Sequence, residues 1–286
     1  MIQRTISKMT QSPMHPGFLG PGHTASAVFE GTSYEETDPF ILFMDDRVDY
    51  KGGAPAGGPH PHAGFETLTL VLKGNGGDWE EGSFELMTAG KGIVHTEEMS
   101  TPQQLHILQV WLALAPDKRF IQPSWQKLKL ENVPIIKTDS YEIRVYSGSS
   151  NGLSSPMQNH TPLTVVDFSM QANQTLSQKL PANQSGLVYV LEGGVQIGDK
   201  TIKAGQAGWL NKSDDAGTSE LNFQSQNETA RFVLYAAQPH HAPVVSHGPF
   251  IADTMEDISR LYREYRNGGI PHLRDLAKEQ KEEYTS

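Results

Sequence analysis

Cysteine is absent from the 286 residues, which excludes disulfides and thiolate ligands and leaves imidazole and carboxylate as the strong metal donors of the chain. Long apolar runs are missing as well. No stretch nears the roughly 20 apolar residues that a membrane-crossing helix needs, and residues 1–8, MIQRTISK, hold no apolar signal core. The expectation is a soluble, cytoplasmic protein that engages no membrane. Clusters of Lys or Arg are also wanting: 23 basic residues stand against 33 acidic ones, for a formal charge of -10. That balance opposes direct binding to nucleic acid, whose phosphates demand a basic surface.

What the chain does hold is length for two lobes of roughly 120 residues each and a concentration of histidine in one stretch. Residues 59–66 read PHPHAGFE and residues 87–97 read MTAGKGIVHTE. In extended backbone alternate side chains share a face, so His60 pairs with His62, and His95 with Glu97. Two such strands side by side deliver three imidazoles and a carboxylate to one point, a donor set for a divalent transition metal. A histidine in a strand is more often a packing or hydrogen-bonding residue, and the second pair is what shifts the balance here. Pro59 and Pro61 hold the first strand extended, and Gly90 and Gly92 predict a tight turn before His95. Glu66, four residues beyond His62, is a competing carboxylate predicted on the same face, either as a ligand or as a hydrogen-bonding partner of one.

Residues 1–37 read mostly as loop, with His15 and His23 assigned to the surface or to packing. Residues 38–47, DPFILFMDDR, predict a buried strand and then a turn carrying one solvated carboxylate of the Asp45/Asp46 pair. Residues 51–58 predict a glycine-rich loop, residues 65–72 a strand with one face in a core, and residues 73–77 the turn that follows. His106, Gln109 and Trp111 fall in a further strand over 105–114, with His106 assigned to a strand edge. Strands are predicted over 141–146, 163–170, 175–180, 186–192, 195–197, 201–204 and 231–236, and this even spacing means a sandwich or barrel. The segments 187–199 and 203–210 resemble 68–74 and 87–92, an internal duplication. The second copy has ANQS at 182–185 where the first has histidines, so its role is structural. Residues 254–269 form the clearest helix, capped by Thr254, with Ile258, Leu261, Tyr262 and Tyr265 as its apolar stripe. Residues 273–284 read as a frayed, exposed helix.

Together DPFIL (38–42), PHPHAGFETLTLVLKG (59–74), MTAGKGIVHTE (87–97), LHILQVW (105–111), GPF (248–250) and YRNG (265–268) resemble the pirin family of the cupin superfamily. The resemblance implies an all-β bicupin: two stacked antiparallel β-barrels of jelly-roll type with a short C-terminal helix. The metal-binding barrel would span 1–131, the structural barrel 132–250, and the helix and tail 251–286. It implies His60, His62, His95 and Glu97 as ligands of one divalent ion, Fe(II) first and copper, nickel, manganese, cobalt or zinc as substitutes, and it places Glu66 outside that set. The implied activity is that of a quercetinase, a dioxygenase opening a flavonol-like small molecule with dioxygen, Glu97 acting also as the catalytic base. The implied alternative is a redox-responsive regulator acting through a protein partner. One departure is visible: residues 74–87 are shorter than in the usual pirin, with EGS (81–83) in place of PGD, which reshapes the mouth of the site.

Overall fold

Short apolar alternations closed by glycine, asparagine and aspartate turns favour strands over helices. The computed structural model, which describes residues 1–53, 57–75 and 79–284, is accordingly all-β with a short C-terminal helix. Two barrel units make up the chain, one from Pro13–Ala27, Ser33–Asn132 and His240–Ser286, the other from Met1–Ser12, Val28–Thr32 and Val133–Pro239. The predicted loop over 51–58 and turn over 73–77 lie partly outside the described residues. Among the described residues no helix is long and apolar enough to cross a membrane.

The histidine-bearing unit contains β1 (His23–Ala27), β2 (Phe40–Tyr50), β3 (His60–His62), β4 (Phe65–Lys73), β5 (Phe84–Thr88), β6 (Ile93–His95), β7 (Gln103–Ala113) and β8 (Ser124–Leu128). An eight-stranded sheet runs Lys281–Tyr284, β8, β5, β4, β7, β2, β1, His15–Pro16, while β3 pairs with β6 alone. The register lines up two rows of side chains on one face of this sheet. Gln109, Thr69, Glu85 and Lys127 form the first, and Trp111, Thr67, Met87 and Trp125 the second. Strand β4 is buried on both faces, where the sequence predicts only one.

Several expectations about this unit are corrected. Asp45 and Asp46 are no turn: β2 runs on to Tyr50, and both residues are buried, at 2% and 9% exposure. Each has a cationic or imidazole partner, His106 and Arg47 for Asp45 and His23 for Asp46, which is why burial is tolerated. His23 is therefore a buried partner within β1, in a region read as loop. The tail is no frayed helix either. Lys281–Tyr284 adds to β8 in parallel, held by Lys129 on Glu283 and by the Tyr284 hydroxyl donating to Gln126.

The second unit repeats the plan. Its seven-stranded sheet places Ser185–Glu192 between Ala207–Leu210 and Ala230–Ala237, as β4 lies between β5 and β7, in keeping with the duplicated sequence. Its interior is filled by apolar side chains, with Phe168, Phe223 and Phe232 in mutual ring contact. The boundaries at 131 and 250 do not match this division. Ile6–Thr10 pairs with Ala207–Leu210, and Ile2–Gln3 pairs in parallel with Thr218–Ser225, so the first twelve residues belong with the second half of the chain. Arg4 fixes that attachment. Its buried guanidinium donates to the carbonyls of Ala182, Gln184 and Asn211, within the ANQS stretch that replaces the histidines and just beyond the paired strand.

The predicted C-terminal helix spans Met255–Arg266, with the Thr254 hydroxyl accepting from the Asp257 amide as N-cap. Ile258 and Leu261 are buried and Tyr262 packs beside them, but Tyr265 is exposed and leaves the stripe. Their neighbours are Ala63 and Val94, beside and within the antiparallel β3/β6 pair, so the helix backs the strands that carry the histidines. Leu261→Ala is expected to cost about 2–5 kcal/mol of stability through the cavity it opens. A guanidinium-chloride titration checks this, and the same variant should weaken metal retention because its cavity lies behind the β3/β6 pair.

Candidate metal centre

Strands β3 and β6 pair antiparallel with His60 opposite His95 and His62 opposite Ile93. The turn at Gly90–Gly92, closed by the Gly92 amide donating to the Ala89 carbonyl, returns the chain in time for His95, as its glycines predict. Nε2 of His95 lies 2.8 Å from Nε2 of His60 and 3.1 Å from Nε2 of His62. His62 and His95 are buried, whereas 31% of the His60 side chain is exposed. His60 donates from Nδ1 to the Gly58 carbonyl at 2.9 Å, which leaves its Nε2 lone pair facing the other two rings.

Three convergent imidazole nitrogens at these separations fit a metal ion. Two nitrogens bound side by side to one ion at about 2.1 Å stand roughly 3.0 Å apart when their bonds are perpendicular. The electrostatics fit as well. Burial, and then the adjacent His60, push His62 down to about 3 against the opposing pull of the Pro249 carbonyl. Burial also holds His95 well below the ordinary histidine range, with His62 and His60 adding to it. A cluster that resists protons keeps its lone pairs free for a cation. Among the described residues, His60, His62 and His95 are the group able to hold such an ion.

Glu97 stands at the edge of this cluster. Its Oε2 is 3.7 Å from His60 Nε2, and its Oε1 accepts from Gln109 Nε2 at 3.0 Å; the Gln109 oxygen in turn accepts from Trp111 Nε1 at 3.3 Å. Burial pushes the Glu97 carboxyl up to about 7; the Gln109 hydrogen bond opposes this, and the charges of Asp46 and Glu85 add to it. Glu66 takes no part. Residues 63 and 64 bend between β3 and β4, with Gly64 at φ +87° and Ile251 O only 2.0 Å from where a Cβ would lie, so the parity of β3 does not carry through. Phe65 therefore meets His62, with ring centroids 5.2 Å apart, and stacks on Trp111 at 4.4 Å. Glu66 turns to the opposite face and accepts from the Thr88 hydroxyl.

Beside His95 and Glu97 opens a cavity of about 150 Å³, walled by Thr67, Thr69, Glu85, Met87, Trp79 and Trp125. The sequence analysis missed most of these walls. Alternating threonines at 67 and 69 and the lone polar Gln109 in an apolar strand were the available signals. They became informative only once the register aligned them.

Two family models match the chain, one described as Pirin over residues 22–112 and one as the Pirin C-terminal cupin domain over residues 165–271. Pirin of Rattus norvegicus is 32% identical over 263 residues, covering 87% of this chain and 88% of the relative. Among solved structures, a quercetin 2,3-dioxygenase from Acinetobacter baumannii aligns with a TM-score of 0.78 at 23% identity, over 93% of this chain and 98% of its own. The bacterial pirin YhhW from Escherichia coli, in complex with nickel(II), aligns with a TM-score of 0.59 at 17% identity, over 81% and 98%. At these identities the two structures speak to the fold.

Proposed function

This chain belongs to the pirin family of the cupin superfamily, and on that premise we propose that it is a metal-dependent dioxygenase that opens a flavonol such as quercetin. His60, His62, His95 and Glu97 would hold one divalent ion, Fe(II) by preference. The observation that carries this reading is the convergence of three imidazole nitrogens beside a raised-pKa carboxylate at the wall of a cavity. When bound, the ion supplies Lewis acidity at open coordination positions, which lowers the pKa of the flavonol 3-hydroxyl and brings its anion beside dioxygen. Quercetin dioxygenase and a nickel-bound pirin among the structures of similar fold support the choice of chemistry.

The residues of the chain divide the remaining work. Glu97, with a pKa near 7, is matched to accept the 3-hydroxyl proton at neutral pH, and Gln109 orients it through the hydrogen bond to Oε1. Phe65, Trp111, Met87 and Trp125 line the sheet face with apolar surface that excludes water from the reacting anion. In the overall change both dioxygen atoms enter the products, and the C2–C3 and C3–C4 bonds break. C3 leaves as carbon monoxide, and the other carbons remain as an aroyl ester of a 2-hydroxybenzoic acid.

Anaerobic loading with Fe(II), copper, nickel, manganese, cobalt or zinc in parallel, then admission of dioxygen with quercetin, tests the proposal. Equimolar dioxygen consumption and carbon monoxide release that depend on the metal are expected. Tight metal binding with neither gas exchanged sinks the dioxygenase reading and favours a redox-responsive protein that acts through a partner.

A further inference from the structure

The histidine cluster stands between two cavities. The one beside His95 and Glu97, at about 150 Å³, matches a space that holds a single benzene-sized ring. The other, at about 740 Å³, begins at His60 and is walled by Phe18, Leu19, Tyr50, Lys51 and Gly58. Pockets for drug-sized ligands run from about 300 to 1,000 Å³, so a three-ring flavonol has room on the His60 side. His60 is also the accessible histidine of the three: 31% of its side chain is exposed, whereas His62 and His95 are buried.

One wall of the larger cavity is the loop GFLGPG at 17–22, and a buried side chain holds that loop in place. His23 donates from Nε2 to Asp46 at 2.8 Å, which leaves Nδ1 to accept the Leu19 amide at 3.2 Å. The Gly17 amide donates to the His23 carbonyl, and a Cβ at 17 would stand 2.2 Å from the imidazole, so glycine lets the loop close onto the ring. Leu19 turns inward against Val48, Tyr50, Met99 and Leu105. Phe18, between these two anchors, meets the His23 ring edge-on at 5.5 Å yet stays 80% exposed. A lone exposed phenylalanine is ordinary; one fixed at the wall of a cavity beside a metal centre presents an aromatic surface to whatever enters.

We propose that the cavity on the His60 side takes the aromatic rings of the flavonol, and that Phe18 is the specificity-determining residue that makes the site prefer a flavonol to a single-ring hydroxy-ketone. The proposal rests on the dioxygenase reading for its choice of ligand. The 3-hydroxy-4-keto edge of the flavonol faces the centre, where Glu97 stands 3.7 Å from His60, and the rings beyond that edge run along Phe18. An aromatic pair of this kind contributes about three- to tenfold in affinity beyond the area it buries. Asp49 and Lys51, paired at 2.8 Å on the same wall, offer partners to the phenolic hydroxyls of a compound such as quercetin.

The test compares 3-hydroxyflavone with 3-hydroxy-2-methyl-4-pyrone on the Fe(II)-loaded protein without oxygen, by calorimetry at equal metal content. Each affinity is normalised to that of the compound for Fe(II) in solution. The unaltered protein is expected to favour the flavone by about tenfold or more. Phe18→Ala changes a ring that the fold leaves exposed, and it should lower flavone affinity by about three- to tenfold while moving that of the pyrone by less than about twofold. Gly58→Leu tests the same space from another wall. A Cβ at 58 meets nothing within 4 Å among the described residues, so the leucine should fill the cavity and weaken the flavone by about tenfold or more, again selectively. Absence of a flavone preference in the unaltered protein overturns the proposal. So does unchanged flavone affinity in the folded variants, or an equal loss for both compounds. Admitting dioxygen separates the two ideas. Flavone-selective binding through Phe18 without oxygen uptake retains the cleft and removes the dioxygenase reading; oxygen uptake with flavone binding indifferent to Phe18 and Gly58 does the reverse, and binding of neither compound removes both.

Discussion

His95→Ala is expected to abolish metal retention and, with it, every metal-dependent turnover. His95 is the hub of the cluster: its Nε2 is the one within 3.1 Å of both other imidazole nitrogens, and it lies buried on a strand that cannot shift its register without unpairing β3. Losing even an outer partner of a ligand typically costs 10- to 100-fold in metal affinity, so loss of a central ligand should exceed about 100-fold. Equilibrium dialysis against Fe(II) reads this directly; metal content equal to that of the unaltered protein sinks the three-histidine site. A second consequence appears in the metal-free protein. His62 and His95 titrate below the ordinary histidine value of 6.5 in the folded state, so below pH 6.5 the unfolded chain binds more protons and stability falls as pH falls, for His62 down to about pH 3. Removing His95 removes its share of that loss. Metal-free His95→Ala should therefore show a flatter dependence of melting temperature on pH between 6.5 and 4, even though its cavity lowers stability at pH 7.

How legible this centre was in the sequence depends on which residues set it. His60, His62 and His95 stand out because period-two alternation and a glycine turn are local devices, and the structure brings their nitrogens together. The place of Glu66 was misread because a period holds only within one strand, and the bend at Ala63–Gly64 resets it. Asp45 and Asp46 looked like a turn because their partners are remote in sequence: His23 lies more than twenty residues before Asp46 and His106 about sixty beyond Asp45. The first twelve residues and the charged tail carry weak strand signals of their own, and pairing with Ala207–Leu210 and with β8 decides their structure. The cavity was the least visible feature. Its walls come from β4, β5, β6, β8 and three segments outside them, at Trp79, at Thr96 and Glu97, and at Leu273, and the register of the sheet gathers Thr67, Glu85 and Trp125 around one space.

Glu97→Gln is expected to lower turnover by about 10²- to 10⁴-fold, the range that a positioned base contributes, while leaving the three imidazoles in place. The amide keeps the shape of the carboxylate but cannot accept the substrate proton. The pH dependence separates this role from mere support. With its pKa raised to about 7, Glu97 in the metal-free protein is largely protonated at pH 6 and largely ionised at pH 8. A cation bound beside it favours the ionised form, so metal binding at pH 6 should expel its proton, whereas His62 and His95, already neutral there, release none. Calorimetric metal titrations in buffers of different ionisation enthalpy count those protons. At pH 6 the unaltered protein should release close to one more than Glu97→Gln, and the difference should vanish by pH 8. If both proteins release the same number at pH 6, Glu97 does not meet the ion, and the site is a three-histidine centre whose base lies elsewhere. A released proton with turnover unchanged in the glutamine variant would instead leave Glu97 as a ligand and assign the proton transfer to another group.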